Sequence, residues 1–225
     1  MSRLRLAYFI FSALVVVFVN SFGKVGKSDE VKSPTIEGQI ENWPQGYVLY
    51  AHVGGYITRD GGYFPYGTVR VGSKGNFTYT LPIPRKGHLY PITFKTSCKV
   101  SSEPTVSPQN SKSAYFVLTA VKGPQSGDVR LLESQPDIGQ IPPVKVEGFY
   151  IYVNQDTTIN GSLKREYCDG NFTSEWIFDN VKLTRGWNYV ELIFVSYDQN
   201  ANIVTYRFER KLSPSPNLRW MFTRP

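Results

Sequence analysis

Two histidines, two cysteines and eighteen acidic side chains supply most of the reactive chemistry open to this chain of 225 residues. His52 falls in a run of strand character and His88 in a turn. Neither is accompanied by a serine or cysteine motif that would make it the base for a nucleophile, and a G-x-S-x-G elbow is absent. Two carboxylates could still converge in space as a glycan-cleaving pair. Most of the acids, however, fall at turns or on outward strand positions, where water satisfies them. The histidines and cysteines lack zinc spacing. The run NQDTTING, Asn154 to Gly161, alternates oxygen-bearing side chains as a calcium loop does, but it lacks the full pattern and terminal Glu of an EF-hand and reads as a polar strand and turn. No metal or cofactor is expected from this inventory, and a non-enzymatic role is the favoured reading.

Ligand binding is the other chemistry the residue types allow. The stretch GGYITRDGGYFPYG carries Tyr56, Tyr63, Phe64 and Tyr66 between glycine pairs. Such rings can offer flat faces and hydroxyls to a sugar or peptide, or they can fold onto a sheet as a lid. The stretch VKLTRGWNYVELIF, Val181 to Phe194, places Trp187 just after the Arg185-Gly186 turn. It poses the same choice between a ligand platform and a packed sheet corner. Cys98 and Cys168 could form one disulfide in an oxidising compartment, and closing a loop of about 70 residues would contribute on the order of 4 kcal/mol. Two buried thiols are the alternative. The sequons at Asn76, Asn160 and Asn171 reflect turn composition, since Asn beside Gly tolerates left-handed backbone.

The elements that would position these groups are strands. Hydrophobic residues make up 41% of the chain and charged residues only 19%, with 19 Gly and 15 Pro, a balance that favours short strands and turns over long helices. TIEGQIEN alternates and runs into the Trp43-Pro44-Gln45-Gly46 turn, which predicts a hairpin with YVLYAHV. TVRV and NFTYTLP flank Gly72-Ser73-Lys74-Gly75, a second hairpin signal. Residues 99–114 read as a surface connection, YFVLTAV as a strand, and Lys122 to Pro143 as irregular with room for a helical turn. FYIYV, TTINGSL, TSEWIFDNVKL, YVELIFVSY and IVTYRFERKL are five further strands. Val190, Leu192 and Phe194 share one face of theirs and Glu191 takes the other, which predicts an antiparallel sheet packed on one side.

Ahead of the strands, Arg3 and Arg5 precede an apolar run from Leu6 to Val19, the layout of a secretory signal with a cut after Ser21 or Gly23. An uncleaved signal anchor is the alternative, although the run is short for a span of roughly 20 residues. The formal net charge of +7 comes from scattered bases that alternate with acids, as in Arg207, Glu209, Arg210 and Lys211, so no nucleic-acid stripe is present.

The order of IEGQIENWPQGYVLYA, FYIYVNQDTTINGS, LTRGWNYVELIF and LRWMF resembles uncharacterised exported proteins of Deinococcus- and Thermus-type bacteria. The form L-x-x-GWN-x-V, followed by alternation, is also similar to the turn before a late strand in galactose-binding-like β-sandwiches, where the Trp generally packs at the sandwich edge. The first resemblance implies an all-β extracytoplasmic protein and carries no known activity or functional residue. The chain departs from lipoprotein-like members in having no lipobox Cys.

These readings converge on an all-β antiparallel β-sandwich at residues 35–225, with possible halves 35–121 and 144–225, after a signal at 1–23 and a flexible lead-in at 24–34. The expected role is structural or interactive in the cell envelope, with an envelope polysaccharide or another envelope protein as partner, no nucleic acid, and membrane contact only through an uncleaved N-terminal segment. The alternatives are a carbohydrate-binding module using Tyr56, Tyr63, Tyr66 and Trp187, and a glycan-acting hydrolase with paired carboxylates.

Overall fold

Alternation of period two writes the strands of this chain. A computed structural model describes residues 33–54, 63–93, 99–134, 145–166 and 173–223. β1 (Thr35–Glu41), β2 (Val48–Gly54), β3 (Tyr63–Val69) and β4 (Asn76–Thr80) come first. A 3-10 turn at Lys86–His88 leads to the short β5 (Tyr90–Pro91), β6 (Val100–Ser102) and β7 (Thr105–Ser107). The longer strands follow: β8 (Lys112–Lys122), β9 (Gln125–Leu132), β10 (Val146–Val153), β11 (Thr157–Glu166), β12 (Thr173–Leu183), β13 (Gly186–Asp198), β14 (Ile203–Lys211) and finally β15 (Arg219–Thr223). The protein is therefore all-β. Among the described residues no helix is long and apolar enough to cross a membrane.

The strands join in the order β4-β1-β15-β9-β8-β10-β13-β14-β12-β11-β6, with β2 and β5 also on β8, β3 on β2 and β7 on β11. Most pairs are antiparallel, but β12–β14 and β1–β15 run parallel, so the sheet is mixed where the sequence predicts an antiparallel one. The first parallel pair arises because β13 forms the hairpin with β14, leaving the far edge of β14 to β12. The second joins the beginning of the fold to its end.

That closure also replaces the expected first hairpin. β1 pairs with β4 and β15, while β2 pairs with β3 and β8. Gly38 explains the preference of β1, since any Cβ there would strike the Trp220 indole that lies over it. The Gly72–Gly75 turn does form, with the Gly75 N–H donating to Gly72 O at 2.9 Å and a bridge between Val71 and Phe77, but the β4 ladder belongs to β1. Residues 99–114, expected as a connection, contain β6 and β7, which line the outer edge of β11. Their Ser- and Pro-rich composition suits strands at an edge. β9 lies inside the stretch read as irregular, and the helical turn expected there falls largely on residues 135–144, outside the described ones.

Both faces of the central strands are covered. One face contributes Tyr115, Ile151, Val153, Val190 and Phe208 to an apolar cluster with Ile159, Leu163 and Phe178. On the other face Phe116 stacks on Tyr79, with ring centroids 5.6 Å apart, and meets Trp187 edge-on. Burial of each such side chain stabilises the fold by about 1.5–3 kcal/mol. The one-sided sheet expected for β13 is therefore overturned: Tyr189 and Glu191, on the supposedly solvated face, are 6% and 1% exposed.

A β-bulge keeps the apolar cluster continuous. Between Ile159 and Gly161 the β11–β12 register slips by one residue, and Asn180 on the bulged strand has φ 50°. The inward positions of β12 change from Ser174, Trp176 and Phe178 to Val181 and Leu183 across that step. The Asn160 side chain accepts the Asn180 N–H at 3.1 Å and pins the bulge.

Candidate functional site, an aromatic-floored cleft

The parallel register of β12 and β14 sets Trp176 beside Tyr206 and Phe178 beside Phe208. β13 then places Leu192 against Phe208, and β10 places Phe149 against Val190. The rings meet: Phe149 lies edge-on to Phe208 at 5.5 Å, Phe178 lies 5.1 Å from Phe208, and Tyr115 lies 5.8 Å from Phe149. These side chains do not fill the space that they border. They form the floor of a partly open cavity of about 980 Å³. Protein interiors elsewhere pack at crystal-like density, so a void of this size with apolar walls is the default binding-site candidate.

The wall becomes more exposed and more polar towards β2 and β9. Tyr50 and His52 on β2, Val117 and Thr119 on β8, and Arg130 on β9 are half-buried, while Asp128 on β9 is exposed. Arg130 donates from Nε and from its terminal nitrogen to the two oxygens of Glu147, at 2.8 and 2.5 Å. This fork is the strong geometry for such a pair, and it fixes β9 to β10 at the cleft wall. Burial pushes His52 below its ordinary value, and the charge of Asp128 opposes that shift without reversing it. At the opposite end the Arg165 guanidinium lies over the Trp176 ring, 4.7 Å from its centroid, and donates to Ser174 at 3.1 Å.

The residues singled out in the sequence lie elsewhere or are internally engaged. Tyr66 accepts the Arg85 N–H at 2.9 Å, and its hydroxyl lies 2.7 Å from Nδ1 of His88. His88 in turn stacks on Phe64 with centroids 3.8 Å apart. Gly67, with φ 110°, bulges β3 against β2 beside Tyr66. Trp187 donates its indole N–H to Pro82 O at 2.9 Å and packs edge-on to Tyr152 and Phe116. Tyr66 and Trp187 belong to one ring network, because the Tyr79 hydroxyl donates to Tyr66 O while the Tyr79 ring stacks on Phe116.

Tyr56 lies outside the described residues, as do Cys98, Cys168 and Asn171, and for Tyr63 only the strand position is described. In NQDTTING the oxygens serve neighbouring turns: Asn154 accepts the Lys112 N–H at 2.7 Å and Asp156 accepts the Arg185 N–H at 2.7 Å. Among the described residues no three His, Cys, Asp or Glu side chains gather as a metal site. Among the described chemical candidates, His52 lines the cleft, and so do the acids Asp128 and Glu147.

In the sequence the floor is marked only by EWIF and TYRF, each of which places two aromatics on alternate positions. That spacing marks a shared face. It does not show that the two strands lie side by side in parallel. No protein-family model, curated protein or solved structure matches the chain.

Proposed function

We propose that this chain is an exported, non-enzymatic binding protein of the cell envelope that holds a small apolar or amphiphilic molecule in the aromatic-floored cleft. The observation that carries this reading is the cavity of about 980 Å³ left open on an otherwise buried ring cluster. Its size lies at the upper end of ordinary small-molecule sites, and charged groups at its ends would orient a ligand. The N-terminal basic and apolar segment supports export. Glu147 has both oxygens engaged by Arg130, a structural arrangement more suited to a wall than to proton transfer at a glycosidic bond. Tyr66 and Trp187 have their polar atoms bonded within the protein, which favours the cleft over the carbohydrate platform as the binding surface.

Titration of the full chain with a neutral naphthalene dye tests the proposal. Saturable binding at one site is expected, accompanied by a change in tryptophan emission. The Val117→Arg substitution, which fills the exposed part of the cleft, should weaken binding about tenfold, equivalent to ~1.4 kcal/mol. Binding that does not saturate, or that Val117→Arg leaves unchanged in a folded variant, overturns the reading.

A further inference from the structure

Resting on the binding role proposed above, we infer that the ligand is a single-chain amphiphile with an ammonium headgroup, its chain lying on the ring floor and its head beside Asp128.

The chain end follows from the floor. Phe149, Phe178, Phe208 and Leu192 offer no hydrogen-bonding atom, so a ligand group seated there gains only from leaving water. A polar or charged group placed on these rings would be desolvated without compensation. The charged groups of the lining stand towards the two ends of the cleft, where a head can be recognised.

The charges at those ends decide the head. Arg165 is stacked on Trp176 and bonded to Ser174, so its guanidinium is already used in building the floor. At the other end Arg130 and Glu147 compensate each other through two hydrogen bonds. That pairing leaves the Asp128 carboxylate as the charge that sets the sign of the rim. His52 does not offset it at neutral pH, because burial favours the neutral imidazole. Tyr50 lines the same end, with its ring 6.4 Å from that of His52, and can face a cation with its π surface. An ammonium suits a carboxylate flanked by neutral rings, whereas an anionic head would meet the field of Asp128. Across the strands, Asp128 pairs with Thr119 and Thr119 with Tyr50, so the three groups form one row at the rim.

The charge of the whole protein makes this prediction sharp. With a formal net charge of +7, non-specific attraction would favour an anionic amphiphile over a cationic one.

The test compares three probes of equal chain length below their micellar concentrations: dodecyltrimethylammonium, a neutral dodecyl glycoside and dodecyl sulfate. Affinities for the full chain are read by calorimetry and tryptophan emission. The ammonium is expected to bind about fivefold or more tighter than the glycoside, a preference of the size one partly exposed charge can supply. Asp128→Asn should reduce that preference to less than about twofold, with the glycoside affinity of the same variant measured as its reference. Asp128 is exposed, so the variant is expected to fold, and an unaltered melting curve checks it. Equal binding of all three probes, tighter binding of the sulfate, or a preference that survives in Asp128→Asn overturns the headgroup assignment while leaving the cleft reading intact. Failure of every probe to bind overturns both.

Discussion

Glu191 and Ser215 are joined by two hydrogen bonds: the Ser215 amide donates to Oε1 and its hydroxyl to Oε2, each at 2.8 Å. Glu191 stands on β13 and is 1% exposed, and the Tyr189 hydroxyl donates to the same Oε1 at 3.0 Å. Charge-assisted bonds of this kind offset the cost of taking a carboxylate out of water. Ser215 lies on the connection between β14 and β15. Holding it to β13 helps deliver β15 to its places beside β9 and β1.

Removing one side of this clamp should be costly. Glu191→Gln keeps the shape but turns a donor toward donors, so a loss of about 2 kcal/mol is expected in urea unfolding. Ser215→Ala should cost about 1 kcal/mol, and the double variant less than the two losses together. A wild-type unfolding midpoint for Glu191→Gln would show that the clamp contributes nothing.

Gly148 on β10 is needed to admit Tyr189. A Cβ at that position would press on the Tyr189 hydroxyl, with Cζ only 2.9 Å away, and it would also touch Leu131 at 3.0 Å. Gly148→Ala is expected to destabilise by roughly 1–3 kcal/mol through overpacking. Adding Tyr189→Phe removes the foremost clashing atom, so the pair should be less than additive in thermal unfolding. Strict additivity would place the strain somewhere other than this contact.

Stability should fall at both ends of the pH scale, because burial disfavours the charged form of a base at one end and of an acid at the other. His52 titrates below its ordinary value of 6.5 in the folded chain because of burial. Its contribution is present above 6.5 and is lost as the pH falls through the lowered value, because the unfolded state binds the proton first. Tyr189 is raised from 10.0, chiefly by burial and then by the charge and hydrogen bond of Glu191. Its contribution is present below 10 and is lost as the pH rises, because the unfolded phenol ionises first. His52→Gln should flatten the acid limb of unfolding free energy against pH, and Tyr189→Phe the alkaline limb. Unchanged limbs in both variants would contradict these environments.

Particular residues show how far the sequence could be read. The alternation of Val190, Leu192 and Phe194 identifies β13 and its inward face, since a strand can orient side chains only with period two. The same pattern misleads at Glu191. It distinguishes two faces but does not reveal that a second apolar layer and the Ser215 connection cover the polar one. Trp187 is legible as the first side chain of a strand after the Gly186 turn; β13 begins there, and the indole is bonded to Pro82. The cleft is less legible, because Trp176, Phe178, Tyr206 and Phe208 belong to strands whose adjacency is non-local.

The sequence alone determined the strand content and most strand positions, because propensity, period and turn chemistry are local. It also determined the shortage of nucleophile and metal motifs, which residue types and spacing display directly. Only the tertiary structure decided which strands pair: β1 with β15 in place of β2, and β12 with β14 in parallel. That choice depends on where Trp220 finds the bare backbone of Gly38 and where aromatic faces meet, energies that exist only once distant segments are in contact. The unfilled space above Phe208 is decided at the same level. Whether side chains close a curved sheet or leave a cleft in it depends on how their volumes sum in three dimensions, and no single strand carries that sum.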